Sequence, residues 1–336
     1  MADARKDLDA LPKAELHLHV EGTLEPELAF ELAARNGVDL PYASVEELRR
    51  QYDFEDLSSF LELYYATTAV LRGAADFEAL TSAYLDRAAA QGLRHVDLFF
   101  DPQAHTVRGV ALTAVVEGIR AALDAAREER GITSTLIMCF LRDRPVAEAL
   151  ELVDAAVAQP GLVDGVGLDS AEVGHPPGLF EEVFARARAA GLHVVAHAGE
   201  EAGPEYVREA LDVLGVERVD HGIQCLRDPA LVERLVRERV PLTVCPFSNV
   251  RLRVVDELAD HPVLRMLEAG LVVTVNSDDP AYFGGYVGDN FRGLREALGL
   301  TDAQAETLAR HAVDASFAGP GRRRELHAEI DAWAAG

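Results

Sequence analysis

Short apolar segments and longer helical segments alternate along this chain from about residue 90 onward, and this alternation constrains its fold most. Runs rich in Val, Ile, Leu and Phe have the length and composition of buried strands, and Ala-, Leu-, Glu- and Arg-rich segments with helical periodicity follow them. Eight strand segments are predicted, at 13–20, 94–100, 134–141, 165–170, 193–199, 218–223, 241–248 and 272–278. Eightfold alternation of this kind predicts a (β/α)8 TIM barrel.

The remainder of the chain fits the same fold. A doubly wound open sheet is the alternative, but no GxGxxG or GxxxxGK[ST] phosphate loop follows any predicted strand. Residues 23–90 contain several helical stretches without a strand-like run, which predicts a helical insertion after strand 1. The last residues predict a terminal helix. We therefore expect one barrel domain over 1–336, with "FLELYYATTAVL" either packed in the core or forming a hydrophobic lid.

The formal net charge of −25 argues against two classes of partner. That much negative charge repels nucleic-acid phosphates and anionic membrane surfaces, but it is compatible with a small neutral ligand. The three cysteines, Cys139, Cys225 and Cys245, form no CxxC pair, which fits a reducing compartment. No apolar run reaches the length of a membrane span. We expect a cytoplasmic protein; the oligomeric state stays open.

Titratable residues collect at the carboxyl ends of the predicted strands, which meet at one mouth of a barrel. Burying so many charged groups is costly unless a metal or substrate satisfies them. Three imidazoles and a carboxylate suit one Zn²⁺ ion, with Fe²⁺ as the alternative, and such an ion lowers the pKa of bound water. The candidate ligands are His17, His19, His197 and Asp278. Glu200 and His221 remain as proton-handling groups.

Five motifs in these regions resemble the adenosine/adenine deaminase family of the amidohydrolase superfamily. They are "PKAELHLHVEGTLEPEL", "VAHAGEEAGPE", "RVDHGI", "PLTVCPFSN" and "TVNSDDPAYFGG", in family order over roughly residues 10–316. The resemblance implies a (β/α)8 barrel with one catalytic zinc, held by His17, His19, His197 and Asp278. It also implies roles for three other residues: Glu200 protonates the purine N1, His221 orients and helps deprotonate the attacking water, and Asp279 meets N7. Whether Asp279 donates to N7 or accepts from it stays open.

Two positions depart from the nucleoside-acting branch of the family and resemble the branch that acts on free adenine. This chain has "HVEGT" where that branch typically has "HLDGA", so Glu21 replaces an aspartate that touches the ribose, and the resemblance implies that Glu21 contacts the substrate. It also has Glu172 near the place of a glycine that leaves room for the sugar. We predict that Glu172 accepts a hydrogen bond from N9–H of the base, which a nucleoside lacks. The alternative is that Glu172 bonds to the backbone or to His175.

The predicted function is therefore hydrolytic deamination of adenine to hypoxanthine and ammonia. The alternatives within this chemistry are adenosine, an N6-substituted adenine or another 6-aminopurine nucleoside as the substrate. A metal-dependent ester or lactam hydrolase would favour a bridging lysine, yet neither of the two lysines ends a later strand. A non-catalytic purine sensor would lack Glu200 or His221, and both are present.

Overall fold

Eight parallel strands form the centre of the protein, in a computed structural model that describes residues 5–336. Each strand pairs with the next one along the chain, so the sheet order is the sequence order. The strands are β1 (Lys13–Glu15), β2 (Leu93–Phe100), β3 (Thr133–Leu141), β4 (Gly165–Asp169), β5 (His193–Ala198), β6 (Arg218–His221), β7 (Pro241–Val244) and β8 (Val272–Val275). The predicted (β/α)8 barrel is confirmed.

The barrel closes between β8 and β1 through the residues that follow both strands. Leu18 and Asp278 form an isolated parallel bridge, and the His19 amide donates to the Asp278 carbonyl over 3.1 Å. β1 ends at Glu15, earlier than predicted, because the Leu16 amide donates instead to the side-chain oxygen of Asn276 at 2.8 Å. His17 and His19 therefore lie on an irregular segment at the barrel mouth.

The helices connect the strands and enclose the barrel. They are α1 (Pro26–Asn36), α2 (Val45–Arg49), α3 (Leu57–Thr67), α4 (Ala74–Ala90), α5 (Pro102–Thr106), α6 (Leu112–Arg130), α7 (Val146–Ala158), α8 (Glu181–Ala189), α9 (Pro204–Glu209), α10 (Pro229–Glu238), α11 (Pro246–Arg251), α12 (Val263–Glu268), α13 (Pro280–Phe283), α14 (Val287–Leu298), α15 (Asp302–Ala315) and α16 (Pro320–Ala335). Short 3₁₀ turns lie at Glu21–Thr23, Thr68–Val70, Pro177–Phe180, Ile223–Arg227 and Leu258–Asp260, and a π-helical turn at Ala210–Leu214. α1 to α4 occupy the predicted insertion between β1 and β2.

The barrel interior combines a small apolar cluster with a buried ion pair. Phe99, Ile137, Cys139 and Val195 form the apolar cluster. The Arg218 guanidinium donates to Asp97 Oδ2 at 2.8 Å, and both side chains are fully enclosed. Pairing satisfies both buried charges, which would otherwise be costly. The larger core lies outside the strands, against the helices.

The insertion carries a second apolar cluster over the barrel mouth. We call it the roof; its buried members are Leu48, Phe54, Leu57, Phe60, Leu63, Tyr64, Leu252, Tyr282 and Phe283. α3 supplies four of these residues, and its first amide donates to the Glu201 carboxylate, which follows β5, at 3.4 Å. Among the described residues, no helix is both long and apolar enough to cross a membrane.

Candidate active site

A pocket lies at the carboxyl ends of the strands, beneath the roof. Polar groups from the strand ends form its floor, and apolar and aromatic side chains of the insertion form its cover. The lining residues are His19, Leu57, Phe60, Leu61, Tyr64, Tyr65, Asp101, Asp169, Ser170, His197, Glu200, His221, Leu252, Asp278, Asp279 and Phe283.

Histidine and aspartate side chains converge on this floor from four places in the chain. His17 Nε2 lies 3.2 Å from Asp278 Oδ1, and His19 Nε2 lies 3.2 Å from His197 Nε2 and 3.5 Å from the same Asp278 oxygen. The ligand atoms of His17, His197, His221 and Asp278 all lie within 4.8 Å of one another. The structure thus brings together the four predicted metal ligands, with His221 beside them.

The donor atoms of this cluster suit a cation. His17 Nδ1 is 2.9 Å from the Thr243 hydroxyl, while its Nε2 has no hydrogen-bond partner within the described chain, although it is fully buried. The Thr243 hydroxyl donates in turn to Asp220 at 2.8 Å, which fixes the ring of His17 from behind. A histidine whose rear nitrogen is held by a partner and whose front nitrogen is free is the usual arrangement of a metal ligand.

Glu200 and His221 face each other beside this cluster, with Glu200 Oε2 3.6 Å from His221 Nε2. Burial raises the pKa of the Glu200 carboxyl well above its usual value, and the charges of Asp278 and Glu172 raise it further. Burial and the neighbouring ring of His17 lower the pKa of His221 to about 3. These shifts favour a neutral carboxylic acid next to a neutral imidazole, which is a proton donor next to a proton acceptor.

Asp279 lies next to Asp278 at the other side of the pocket. Burial and the charge of Asp278 raise the pKa of Asp279 well above its usual value, which favours the neutral acid. Gly22 permits this position, because a Cβ at residue 22 would lie 2.7 Å from the Asp279 Cα.

Glu172 does not line the pocket, contrary to the prediction that it contacts the base. Its Oε1 accepts from the Gly199 amide at 2.6 Å, and its Oε2 accepts from the amides of Glu200, Glu201 and Ala202 at 3.1, 2.8 and 2.8 Å. The loop after β5 turns its amides inward, and a buried amide needs an acceptor. The alternative interpretation, in which Glu172 bonds to the backbone, is the arrangement observed. Glu172 positions the segment that carries Glu200.

We predict that Glu172→Gln lowers kcat about 10- to 100-fold by displacing Glu200, without changing the ratio of adenine to adenosine turnover. A glutamine offers one acceptor oxygen, so buried amides lose their partner, and the free energy of unfolding should fall by about 1–3 kcal/mol. Steady-state kinetics and thermal melting measure both effects. Glu205→Gln, at an exposed position of α9, is the control. A changed substrate ratio would show that Glu172 reaches the base.

Glu21 is also enclosed in the barrel wall and does not line the pocket. Its Oε1 lies 2.6 Å from His105 Nε2 and accepts from the Asp101 amide at 3.1 Å. The predicted contact of Glu21 with the substrate is therefore not observed. Its carboxylate fixes the end of β2, and with it the position of Asp101.

Three further polar residues line the pocket: Asp101, Asp169 and Ser170. Asp169 Oδ2 lies 3.5 Å from His19 Nδ1, on the side of that ring away from the cluster. Asp101 directly follows β2 and Asp169 ends β4, and the position of Asp101 at a predicted strand end indicates a place at the pocket, where the structure has it. Ser170 carries no such signal, because its distinguishing feature is a backbone φ of +70°.

The barrel and this site define the protein as a metal-dependent hydrolase with a pocket at the carboxyl ends of its strands. The comparison with known families is specific. Residues 12–333 match the family model described as adenosine deaminase, and the chain belongs to this family of hydrolytic, metal-dependent deaminases.

Similar proteins carry names within this family. The adenine deaminase of Streptomyces coelicolor is 65% identical over 307 residues, which are 91% of this chain and 90% of that protein. The crystal structure of adenine deaminase from Arthrobacter aurescens has a TM-score of 0.96 at 55% identity and covers 97% of this chain and 99% of its own. An amidohydrolase structure from Burkholderia ambifaria with bound Zn has a TM-score of 0.86 at 28% identity, over 98% of this chain and 94% of its own.

Proposed function

We propose that the protein catalyses the hydrolytic deamination of adenine to hypoxanthine and ammonia. The observation that carries this proposal is the approach of the Glu200 carboxyl to within 3.6 Å of His221 Nε2, at the edge of a histidine–aspartate cluster. The names of the similar proteins from Streptomyces coelicolor and Arthrobacter aurescens support adenine as the substrate.

We assign a zinc ion to His17, His19, His197 and Asp278, with Fe²⁺ as the alternative. The free Nε2 of His17 and the convergence of the other donor atoms support this assignment. The zinc-containing structure from Burkholderia ambifaria supports the identity of the ion. When bound, such an ion supplies a water of lowered pKa as the nucleophile for C6.

The side chains of the pocket then orient the base and move its protons. The Glu200 carboxyl donates a hydrogen bond to N1, and transfer of this proton makes C6 more electrophilic. His221 is neutral, so its free Nε2 accepts a proton from the water that attacks C6. Asp279 is a neutral acid and donates to N7, which fixes the base in the plane required by Glu200. The proton taken up by His221 then passes to the departing amine, which leaves as ammonia, and the hydroxyl proton at C6 restores the Glu200 carboxyl.

The roof completes the site by keeping bulk water away from the base. Phe60 and Tyr64 are buried between the barrel mouth and the insertion, and both line the pocket. In a water-excluded pocket, hydrogen bonds to the developing charge are stronger. We infer further that the enzyme acts on free adenine in the cytoplasm, without nucleic-acid or membrane partners; its net charge of −25 and three free, buried cysteines support this.

The test is a turnover assay on adenine, adenosine and N6-methyladenine, with metal content measured on the same sample. We expect kcat/KM for adenine to exceed that for adenosine by about 10⁴-fold, the discrimination typical of a pocket that hydrogen-bonds its substrate edge. We expect about one zinc ion per chain. Preferred turnover of adenosine or of the N6-substituted base would overturn the proposal.

A further inference from the structure

The place where the barrel closes is not a regular strand pair. Every other neighbouring pair of strands is joined by a ladder of paired residues, whereas β8 and β1 are connected, within residues 5–336, through the isolated bridge of Leu18 and Asp278. We call this place the seam; it consists of residues 15–19 and 276–278. Three of the four proposed metal ligands, His17, His19 and Asp278, lie on it. The distances between them therefore depend on how the two sides of the seam are held together.

A side chain supplies hydrogen bonds across the seam that the backbone does not make. The Glu15 carboxyl group, at the end of β1, accepts from the Ser277 amide at 2.9 Å and from the Ser277 hydroxyl through the same oxygen, Oε1. Its other oxygen, Oε2, accepts from the Tyr84 hydroxyl of α4 at 2.6 Å. Glu15 and Ser277 are both fully buried. Both oxygens of this enclosed group thus have partners, as a buried polar group requires, and Glu15 is fixed from the insertion as well as from the seam.

Asp278 needs support of this kind because its own backbone is strained. Its φ of +65° lies in the left-handed region, which costs free energy in a residue other than glycine. Such a conformation persists only where the surrounding contacts hold it. The Asp278 amide donates to the His17 carbonyl at 3.1 Å, and Ser277, directly before it, is held by Glu15. Without the contact to Ser277, Asp278 would be free to relax and to carry its carboxylate away from His17 and His19.

We propose that Glu15 is a positioning residue for the metal site: through Ser277 it holds Asp278 in its strained conformation and so sets the zinc affinity. This inference rests on the proposed function for the assignment of zinc to its four ligands. Glu15 does not line the pocket and does not contact the substrate. Its effect on the reaction is therefore indirect, through the placement of a ligand.

The first test compares the wild type with Glu15→Gln in two measurements, the zinc affinity by competition with a chromophoric chelator and the melting temperature of the metal-free protein. We expect Glu15→Gln to weaken zinc binding about 10- to 100-fold, the range for residues that support metal ligands. Glutamine keeps the shape of the side chain but replaces one acceptor oxygen by an amide group. Unchanged zinc affinity would overturn the proposal whether or not the melting temperature falls, because Glu15 would then act on stability alone.

Asp76→Asn is the matched control. Asp76 is also a buried carboxylate that accepts from several donors, among them the amides of Arg72 and Gly73 at 2.8 and 2.9 Å, but these partners lie in the insertion rather than on the seam. This variant should lower the melting temperature of the metal-free protein and leave the zinc affinity unchanged. An equal loss of zinc affinity in Asp76→Asn and Glu15→Gln would show that general destabilisation weakens metal binding, and would overturn the specific role of Glu15.

Ser277→Ala tests the link between Glu15 and Asp278 with a smaller change. It removes the hydroxyl and keeps the amide, so we expect zinc binding to weaken about 5- to 10-fold, the effect of one hydrogen bond. Ser248→Ala removes another fully buried hydroxyl, in α11, and should leave the zinc affinity unchanged. If Ser277→Ala binds zinc as tightly as the wild type, Ser277 is not the link and the proposal is wrong.

The same samples separate this proposal from the proposed function. Wild-type zinc affinity in both Glu15→Gln and Ser277→Ala would overturn only this inference, provided that the wild type binds zinc and deaminates adenine. A wild type that binds no zinc would overturn the metal assignment and this inference with it. The expected losses of zinc affinity, in a protein that does not deaminate adenine, would overturn the proposed function and leave the role of Glu15 standing.

Discussion

Replacement of Glu200 by glutamine is expected to lower kcat on adenine by about 10²- to 10⁴-fold, the range for loss of a general acid. Glutamine keeps the size of the side chain and can still donate a hydrogen bond to N1, but it has no proton to transfer. KM should therefore change much less than kcat. Glu201→Gln is the matched control, because Glu201 is the adjacent carboxyl and does not line the pocket.

The pH profile provides a second measurement on the same variant. The pKa of Glu200 is raised by burial, so the active protonated form persists to higher pH than for an exposed glutamate. In the wild type, kcat/KM should fall as the pH rises through this raised pKa, because the proton donor is then lost. The residual activity of Glu200→Gln should lack this basic limb. A variant that keeps more than about a tenth of wild-type kcat would contradict the role of Glu200 as the acid.

Substitutions of two histidines in the same cluster are expected to separate metal binding from proton transfer. His197→Ala should lose both the zinc and the activity, because a ligand of the ion is removed. His221→Ala should keep the zinc and still lose about 10²- to 10⁴-fold in kcat, because only the proton acceptor is removed. Metal content by plasma mass spectrometry and kcat on the same samples measure the difference.

This comparison is informative because geometry alone places both rings in the cluster: the ligand atoms of His197 and His221 lie within 4.8 Å of each other. His193→Ala serves as the control, since His193 begins β5 at the opposite end and is half-exposed. If His221→Ala loses zinc while His19→Ala retains it, then His221 is the metal ligand and His19 is not.

The sequence was sufficient to predict the barrel and the residues that gather at its mouth. Strand length, helical periodicity and the positions of histidines near strand ends are local properties of the sequence. The closed ring of strands then brings the side chains at those ends together. His17, His19, His197 and Asp278 could be predicted in this way because they follow three different strands of one barrel.

The direction of a side chain in an irregular loop could not be predicted in the same way. Glu172 lies three residues after β4, and the sequence indicated that it replaces the sugar. Its carboxylate instead accepts hydrogen bonds from four backbone amides of the next loop. The sequence pattern does not show which amides of a loop point inward and need an acceptor. The Glu21 carboxylate likewise accepts a hydrogen bond from the Asp101 amide. The polar groups that do reach the pocket lie close by, at Asp101 and Ser170.

The separation of the two apolar clusters has a consequence for how such an enzyme diversifies. The buried members of the roof are distinct from those of the core between strands and helices, and the partly buried Val254 packs against both. Substitutions at positions that share no partner have nearly additive effects on stability. Leu57 and Leu61 of the insertion line the pocket without belonging to the core around the barrel, so changes there alter which purine fits while that core keeps its packing. Substrate range can therefore evolve in the insertion while the reaction centre on the barrel is inherited unchanged.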